Sequence, residues 1–316
     1  MKKKLIASLI AVIFVLASTI TTGAESTVIN SNTIRNINGW DVEYWRDSGT
    51  GTMTFNNDGT FSCTWDARPS SNILFRAGKK FGQPANVSQS HTQIGEISLT
   101  FDATHSTDVN SLLCVYGWTA RNTVEYYIFE SWGTYAKGRS SPQAQLIGTY
   151  TIEGEGTYEF YVSHERVNQP SIFSNSDTFP QYFSIRTERR NSGTVSVSEH
   201  FRQWDKLGYS LNGALYEVAL CVEAWGSSGS ARVNSFSLTA GNTVLGTPVV
   251  TAPPEAPPEA PTITAQALTT SDALNVLRHV AGISSLTNEQ RTTYGLGGSV
   301  TTTDALNILR KVAGLA

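Results

Sequence analysis

The chain is short of the residue types that usually mark metal, redox or nucleic-acid chemistry. It has three cysteines, Cys63, Cys114 and Cys221, an odd number that implies no disulfide framework. Cys114 and Cys221 lie in apolar, strand-like stretches and read as buried thiols packing as small hydrophobes. The five histidines are scattered without a metal-ligand spacing such as H-E-x-x-H, so no metal site is expected. A net charge of −3 argues against electrostatic capture of nucleic acid. Beyond the N-terminus no apolar run is long enough to cross a bilayer. The exception opens the chain: three lysines, an apolar run and a small-residue site near Ala24, the pattern of a secretory signal peptide over residues 1–24. The expected product is an exported, soluble monomer with no membrane association once that segment is cleaved.

What the chain does have is strand signal. From residue 30 to 243, short runs rich in Val, Ile, Thr, Tyr, Phe and Trp are broken by Gly, Asn, Ser and Asp. All seven tryptophans fall between Trp40 and Trp225. Asn57-Asp58-Gly59 between two alternating runs marks a hairpin. So many strands without intervening helices favour an all-β architecture, a two-sheet sandwich or β-jelly roll. One stretch, residues 198–212, has helical spacing at Phe201, Trp204 and Leu207 and predicts a single short helix packed on a sheet. A Pro-rich spacer over 244–262 separates this domain from residues 263–316.

Those last residues are duplicated: "LTTSDALNVLRHVAGIS" returns as "VTTTDALNILRKVAGLA". Each copy places Asp272 or Asp304 at a helix N-terminus. Leu274, Leu277 and Ala281 then form an apolar stripe, matched by Leu306, Leu309 and Ala313, and the two helices are expected to bury these stripes against each other.

The carboxylates carry the chemistry. In "NTVEYYIFESWGTY", strand alternation puts Glu125, Tyr127 and Phe129 on one face and Val124, Tyr126 and Ile128 on the other. In "YEVALCVEAW", Glu223 shares a face with Cys221 and Ala219, while Val218, Leu220 and Val222 read as core. Two glutamates on one aromatic-lined sheet face fit retaining glycoside hydrolysis, in which one carboxylate attacks and a protonated one assists the leaving oxygen. Repulsion between such a pair, with partial burial, is what keeps one of them protonated near neutral pH. The bland alternative is a pair of solvent-facing glutamates. Glu130, on the opposite face from Glu125, reads as structural.

"VYGWTARNTVEYYIFESWGTY" and "VEAWGSSGSARV" resemble the two active-site signatures of family 11 glycoside hydrolases, the β-jelly-roll xylanases. The likeness runs in order from Trp40 to Leu238 and includes "YWRDSGTGTMTF", "NILFRAGKKF" and "RVNQPSIFSNSDTFPQYFSIR". It implies an endo-β-1,4-xylanase acting on xylan or xylo-oligosaccharides with no cofactor. It implies Glu125 as nucleophile, Glu223 as general acid/base, and Tyr116 and Tyr127 as the tyrosines that hold substrate and nucleophile. Asn72 falls beside the acid/base, where Asn rather than Asp leans the enzyme toward neutral pH. Arg166 and Gln181 fall on the cleft lining, Pro170 on the tip of a thumb loop (169–173), and Trp45 on a sugar-stacking position. Three positions depart from the family pattern: Asn122-Thr123 where proline usually precedes the nucleophile, Ala224-Trp225 after the acid/base, and Leu112 at a cleft tyrosine. The alternative reading is a xylan-binding protein that has lost catalysis.

The C-terminal duplication resembles a dockerin, a calcium-loop-and-helix module that docks secreted enzymes onto cohesin-bearing scaffolds, and so implies a cellulosome-like or cell-surface attachment. A calcium loop needs about five oxygen ligands over twelve residues. With Asp304 as the twelfth, the first, third and fifth positions are Thr293, Gly295 and Gly297, followed by the turn glycine Gly298; with Asp272 they are Pro261, Ile263 and Ala265. The helices match and the ligands do not, so weak or no calcium binding is expected. Cohesin docking, another partner and a decayed module all stay open.

Overall fold

The computed structural model describes residues 25–246, 269–296 and 299–313. The expected signal peptide, most of the Pro-rich spacer and the upstream calcium-loop positions lie outside them. The chain divides into two compact units, residues 1–249 and 250–316.

In the first unit the strands, in chain order, are β1 (Ser26–Ile29), β2 (Thr33–Ile37), β3 (Trp40–Arg46), β4 (Thr50–Asn56), β5 (Phe61–Asp66), β6 (Asn72–Lys80), β7 (Ile97–His105) and β8 (Ser111–Ala120). They continue with β9 (Val124–Trp132), β10 (Ala144–Ile152), β11 (Gly156–Gln169), β12 (Asp177–Arg186), β13 (Ser192–Val195), β14 (Ala214–Trp225), β15 (Ser228–Ala240) and β16 (Thr243–Leu245). Helix α3 (Val197–Lys206) is the expected one; two single turns, α1 (His91–Ile94) and α2 (Lys137–Ser140), were not foreseen. One sheet runs β1-β4-β5-β15-β7-β13, with β16 on β15; the other runs β10-β11-β12-β9-β8-β14-β6-β3-β2.

Alternation assigns the faces as the sequence predicts. Val124, Tyr126 and Ile128 of β9, with Val218, Leu220 and Val222 of β14, join Phe55, Phe61 and Phe101 of the other sheet in one core. That is the sandwich interior, and it is where most apolar area leaves water. Tyr127 and Phe129, with Cys221, belong instead to a second cluster on the outer face of the nine-stranded sheet, and no residue of the seven-stranded sheet joins it. Helix α3 closes the sandwich by sinking Phe201 and Trp204 beside Tyr126 and Phe160, with ring centroids 4.9 Å (Tyr126–Phe201) and 5.5 Å (Phe160–Trp204) apart.

The turns follow local chemistry. Gly59 takes φ +94 in the β4–β5 hairpin, and the Asp58 carboxylate accepts from the Thr60 amide at 2.9 Å. Between β8 and β9, Arg121 and Asn122 adopt φ +51 and +87. Proline, held near φ −65°, has no access to that geometry, whereas asparagine tolerates it. This accounts for Asn122 in the turn ahead of Glu125.

In the second unit, α4 (Thr270–Val280), α5 (Asn288–Tyr294) and α6 (Thr302–Val312) form a small helical cluster. Asp272 and Asp304 occupy the third helical position, where each carboxylate accepts from the backbone of Thr269 or Thr301 in a capping box. The expected burial of the leucine stripe does not hold. The packed face is Ala273 and Val276 against Ala305 and Ile308, completed by Tyr294. Leu274, Leu277, Leu306 and Leu309 stay 46%, 40%, 48% and 38% exposed. Ala273 and Ala305 are each 1% exposed, and Tyr294 of α5, 6% exposed, packs in the same cluster.

Candidate active site

Strand order, not sequence proximity, assembles the site. β9 carries Glu125, β14 carries Glu223, and β8 lies between them. Gln181 of β12 lies directly beside Glu125 in the parallel β9–β12 pair, and Tyr116 of β8 faces Tyr127 of β9. The outer face of this sheet bounds a cleft of about 370 Å³. All nine positions singled out in the sequence line it: Glu125, Glu223, Trp45, Asn72, Tyr116, Tyr127, Arg166, Pro170 and Gln181.

Glu125 is 7% exposed and tightly held. Its Oε1 accepts from the Tyr116 hydroxyl at 2.7 Å and the Tyr127 hydroxyl at 2.9 Å, and Gln181 Nε2 donates to Oε2. Burial, and then the Glu125 charge beside them, push both phenols well above their ordinary range, so they act as donors at any working pH. Trp118 Nε1 donates to Tyr116 at 2.6 Å and fixes that ring in turn. A buried carboxylate is tolerated here because its lone pairs are occupied.

Glu223, 1% exposed, is held differently. Oε1 accepts from Asn72 Nδ2 at 3.1 Å and lies 3.4 Å from Lys137 Nζ. Oε2 is buried with no hydrogen-bond partner among the described residues. The two carboxyl groups thus have opposite environments. Three donors hold Glu125, and one oxygen of Glu223 is left without a hydrogen-bond partner among the described residues.

Sequence reasoning missed several neighbours. Lys137, in the "TYAKGRS" loop, has no periodic signal that would aim it into the cleft. Arg76 and Glu43 also line the cleft, and Arg76 and Lys80 pair with Glu43 and Glu217 at 2.6 to 3.0 Å. Burial opposes charge on Arg76, yet Glu217 and Glu43 outweigh it and raise its pKa well above the ordinary range. Burial opposes charge on Glu43 too, and Arg76 and Lys80 outweigh it, holding that carboxyl below its ordinary value. Arg76 also lies over the Tyr116 ring, 4.8 Å from its centroid.

The thumb segment joins β11 to β12. The Ser171 hydroxyl donates to Asp177 at 2.7 Å, and the Ser171 amide donates to the Ser174 carbonyl at 2.8 Å. Arg166 donates to Gln169 at 3.1 Å, and its Nε is buried without a partner among the described residues. Of the three departures, Leu112 sits across from Glu223 in the β8–β14 register, and Trp225 packs edge-on against Tyr135 with centroids 5.7 Å apart. Glu130 faces the core side, where Arg190 and Tyr158 satisfy it. All three cysteines are free and buried; Cys114 and Cys221 are cross-strand neighbours on β8 and β14.

A model of glycosyl hydrolases family 11 matches residues 37–234. Endo-1,4-beta-xylanase A of Bacillus pumilus is 45% identical over 219 residues, covering 69% of this chain and 90% of that protein. Endo-1,4-beta-xylanase A of Thermoclostridium stercorarium is 44% identical over 214 residues, covering 68% of this chain but 31% of that longer protein. Among solved structures, the family 11 xylanase of Neocallimastix patriciarum superposes with a TM-score of 0.58 at 34% identity, covering 68% of this chain and all of that one.

Proposed function

The chain belongs to family 11 of the glycosyl hydrolases and is a glycoside hydrolase; from that premise we propose that it is an endo-1,4-β-xylanase working by double displacement with retention. Glu125 attacks the anomeric carbon and forms a covalent xylosyl-enzyme as the glycosidic C–O bond breaks. Glu223 gives its proton from Oε2 to the departing oxygen. In the second step the Glu223 carboxylate takes a proton from water, water oxygen bonds to the anomeric carbon, and Glu125 is released. The observation that carries this reading is the asymmetry of the pair: three donors on Glu125, and on Glu223 an Oε2 without a partner among the described residues. Trp45 offers a flat apolar surface for a sugar ring, and the 169–173 thumb covers the chain of sugars.

Reducing-sugar release from xylan by the wild type, and its loss in Glu125→Ala and Glu223→Ala with the fold intact, tests the assignment. Proton NMR of the first products tests the stereochemistry: β-anomers support retention, and α-anomers sink it. We also propose export through residues 1–24, and docking of the second unit on a cohesin or another scaffold protein. The duplicated exposed leucines of α4 and α6 support the docking reading. A pull-down with the full chain, with and without Leu277→Asp and Leu309→Asp, tests it; equal capture would defeat it.

A further inference from the structure

Lys137 is not an ordinary surface lysine. It opens α2, and the residues after it are clamped on the sheet. Gly138 is buried where an added Cβ would lie 2.8 Å from Phe183 Cγ. Arg139 donates to Glu159 at 2.8 Å and to the Arg186 carbonyl at 3.0 Å. The backbone is thereby fixed, and the Lys137 side chain, 19% exposed, runs inward. Its Nζ sits 3.2 Å from the Tyr127 hydroxyl and 3.4 Å from Glu223 Oε1, with the Tyr127 ring centroid 4.9 Å away. A chain of polar contacts therefore runs from Glu125 through Tyr127 and Lys137 to Glu223.

We propose that Lys137 is a positioning residue for the acid/base: with Asn72 it occupies Oε1 of Glu223, so the transferable proton resides on Oε2, the oxygen without a partner among the described residues. This rests on the assignment of Glu223 as general acid. A cation and an amide donor both aimed at Oε1 leave no room for a third hydrogen there. Without Lys137 the carboxyl can rotate or carry its proton on Oε1 instead of Oε2.

The test compares kcat/KM for two xylobiosides, one with a phenol leaving group and one with a dinitrophenol. Dinitrophenolate departs without protonation, so only the first substrate needs the acid. Lys137→Met keeps the apolar stem and removes the ammonium. The variant is expected to lose about 10- to 100-fold on xylan and on the phenyl substrate, part of the 10²–10⁴ that general acid catalysis supplies, and less than about 3-fold on the dinitrophenyl substrate. Lys137→Arg, which retains a donor, is expected to recover part of the loss. Activity on the dinitrophenyl substrate also reports that the variant is folded. Equal losses on both substrates, or none on either, would overturn the proposal. Glu223→Ala, run in parallel, separates the two levels. If it shows the leaving-group dependence and Lys137→Met does not, the inference alone falls. If Glu223→Ala lacks the dependence too, the assignment of the acid falls and takes the inference with it.

Discussion

Tyr116→Phe removes one oxygen and breaks two hydrogen bonds. Tyr116 is 2% exposed; its hydroxyl donates to Glu125 at 2.7 Å and accepts from Trp118 Nε1 at 2.6 Å. Losing a hydrogen bond to a charged acceptor costs about 1.5–3 kcal/mol, and leaving a buried donor unsatisfied costs about 1–3 kcal/mol more. Tyr127→Phe supplies the control. Its hydroxyl also donates to Glu125 Oε1, at 2.9 Å, and accepts from Lys137 Nζ at 3.2 Å, but that ammonium is 19% exposed and keeps Glu223 Oε1 as an acceptor, so no buried donor is orphaned. Both variants should lose about ten- to hundred-fold in kcat/KM on xylan, as each loosens the same carboxylate by one donor at about 1.4 kcal/mol per decade. Only Tyr116→Phe should carry the added stability loss of about 1–3 kcal/mol, read from urea unfolding midpoints at constant m-value. A cycle with Trp118→Phe isolates the term: with the indole N–H gone, the extra loss from Tyr116→Phe should disappear. Equal unfolding midpoints for the two tyrosine variants would refute the reasoning, because the Trp118–Tyr116 bond would then contribute nothing.

His105 gives a pH signature. Burial, then the Arg189 charge, lower its pKa from 6.5 to about 4, and both ring nitrogens lack partners among the described residues. A depressed folded value means the unfolded chain binds the proton first, so stability present above pH 6.5 is lost as pH falls toward 4. The loss should approach about 3 kcal/mol, and His105→Gln should flatten the slope of stability against pH over that window. Arg76→Met should cost about 3–5 kcal/mol in denaturant unfolding at neutral pH, since it leaves two buried carboxylates with Lys80 alone. A smaller loss than that of an exposed Arg202→Met control would count against the cluster. In the second unit, Val276→Asp should make residues 269–313 protease-sensitive while Leu277→Asp should not, because only Val276 is fully buried.

How far the site was legible depended on where each residue stands. Residues inside strands announced themselves. Glu125 and Tyr127 share a cleft face and Tyr126 the core because a strand alternates, whatever it later pairs with. Asn72, Arg166 and Pro170 were reached only through likeness to a family, since nothing in their own neighbourhoods points to a cleft. Lys137 was invisible to both approaches: it lies in a loop with no period, at a position none of the quoted motifs assigns a role. The Glu43–Arg76–Glu217–Lys80 cluster joins β3, β6 and β14, and no single stretch of sequence contains it.

By itself the sequence determined the class of fold, the turn chemistry at Gly59 and the side of the sheet on which each glutamate stands. Those are consequences of period, propensity and backbone φ, all local quantities. The tertiary structure alone decided which donors surround each carboxyl, that Glu223 keeps one oxygen free, and which face of the C-terminal helices is packed. These depend on lateral neighbours brought together by strand order and helix packing, which no local period in the sequence encodes.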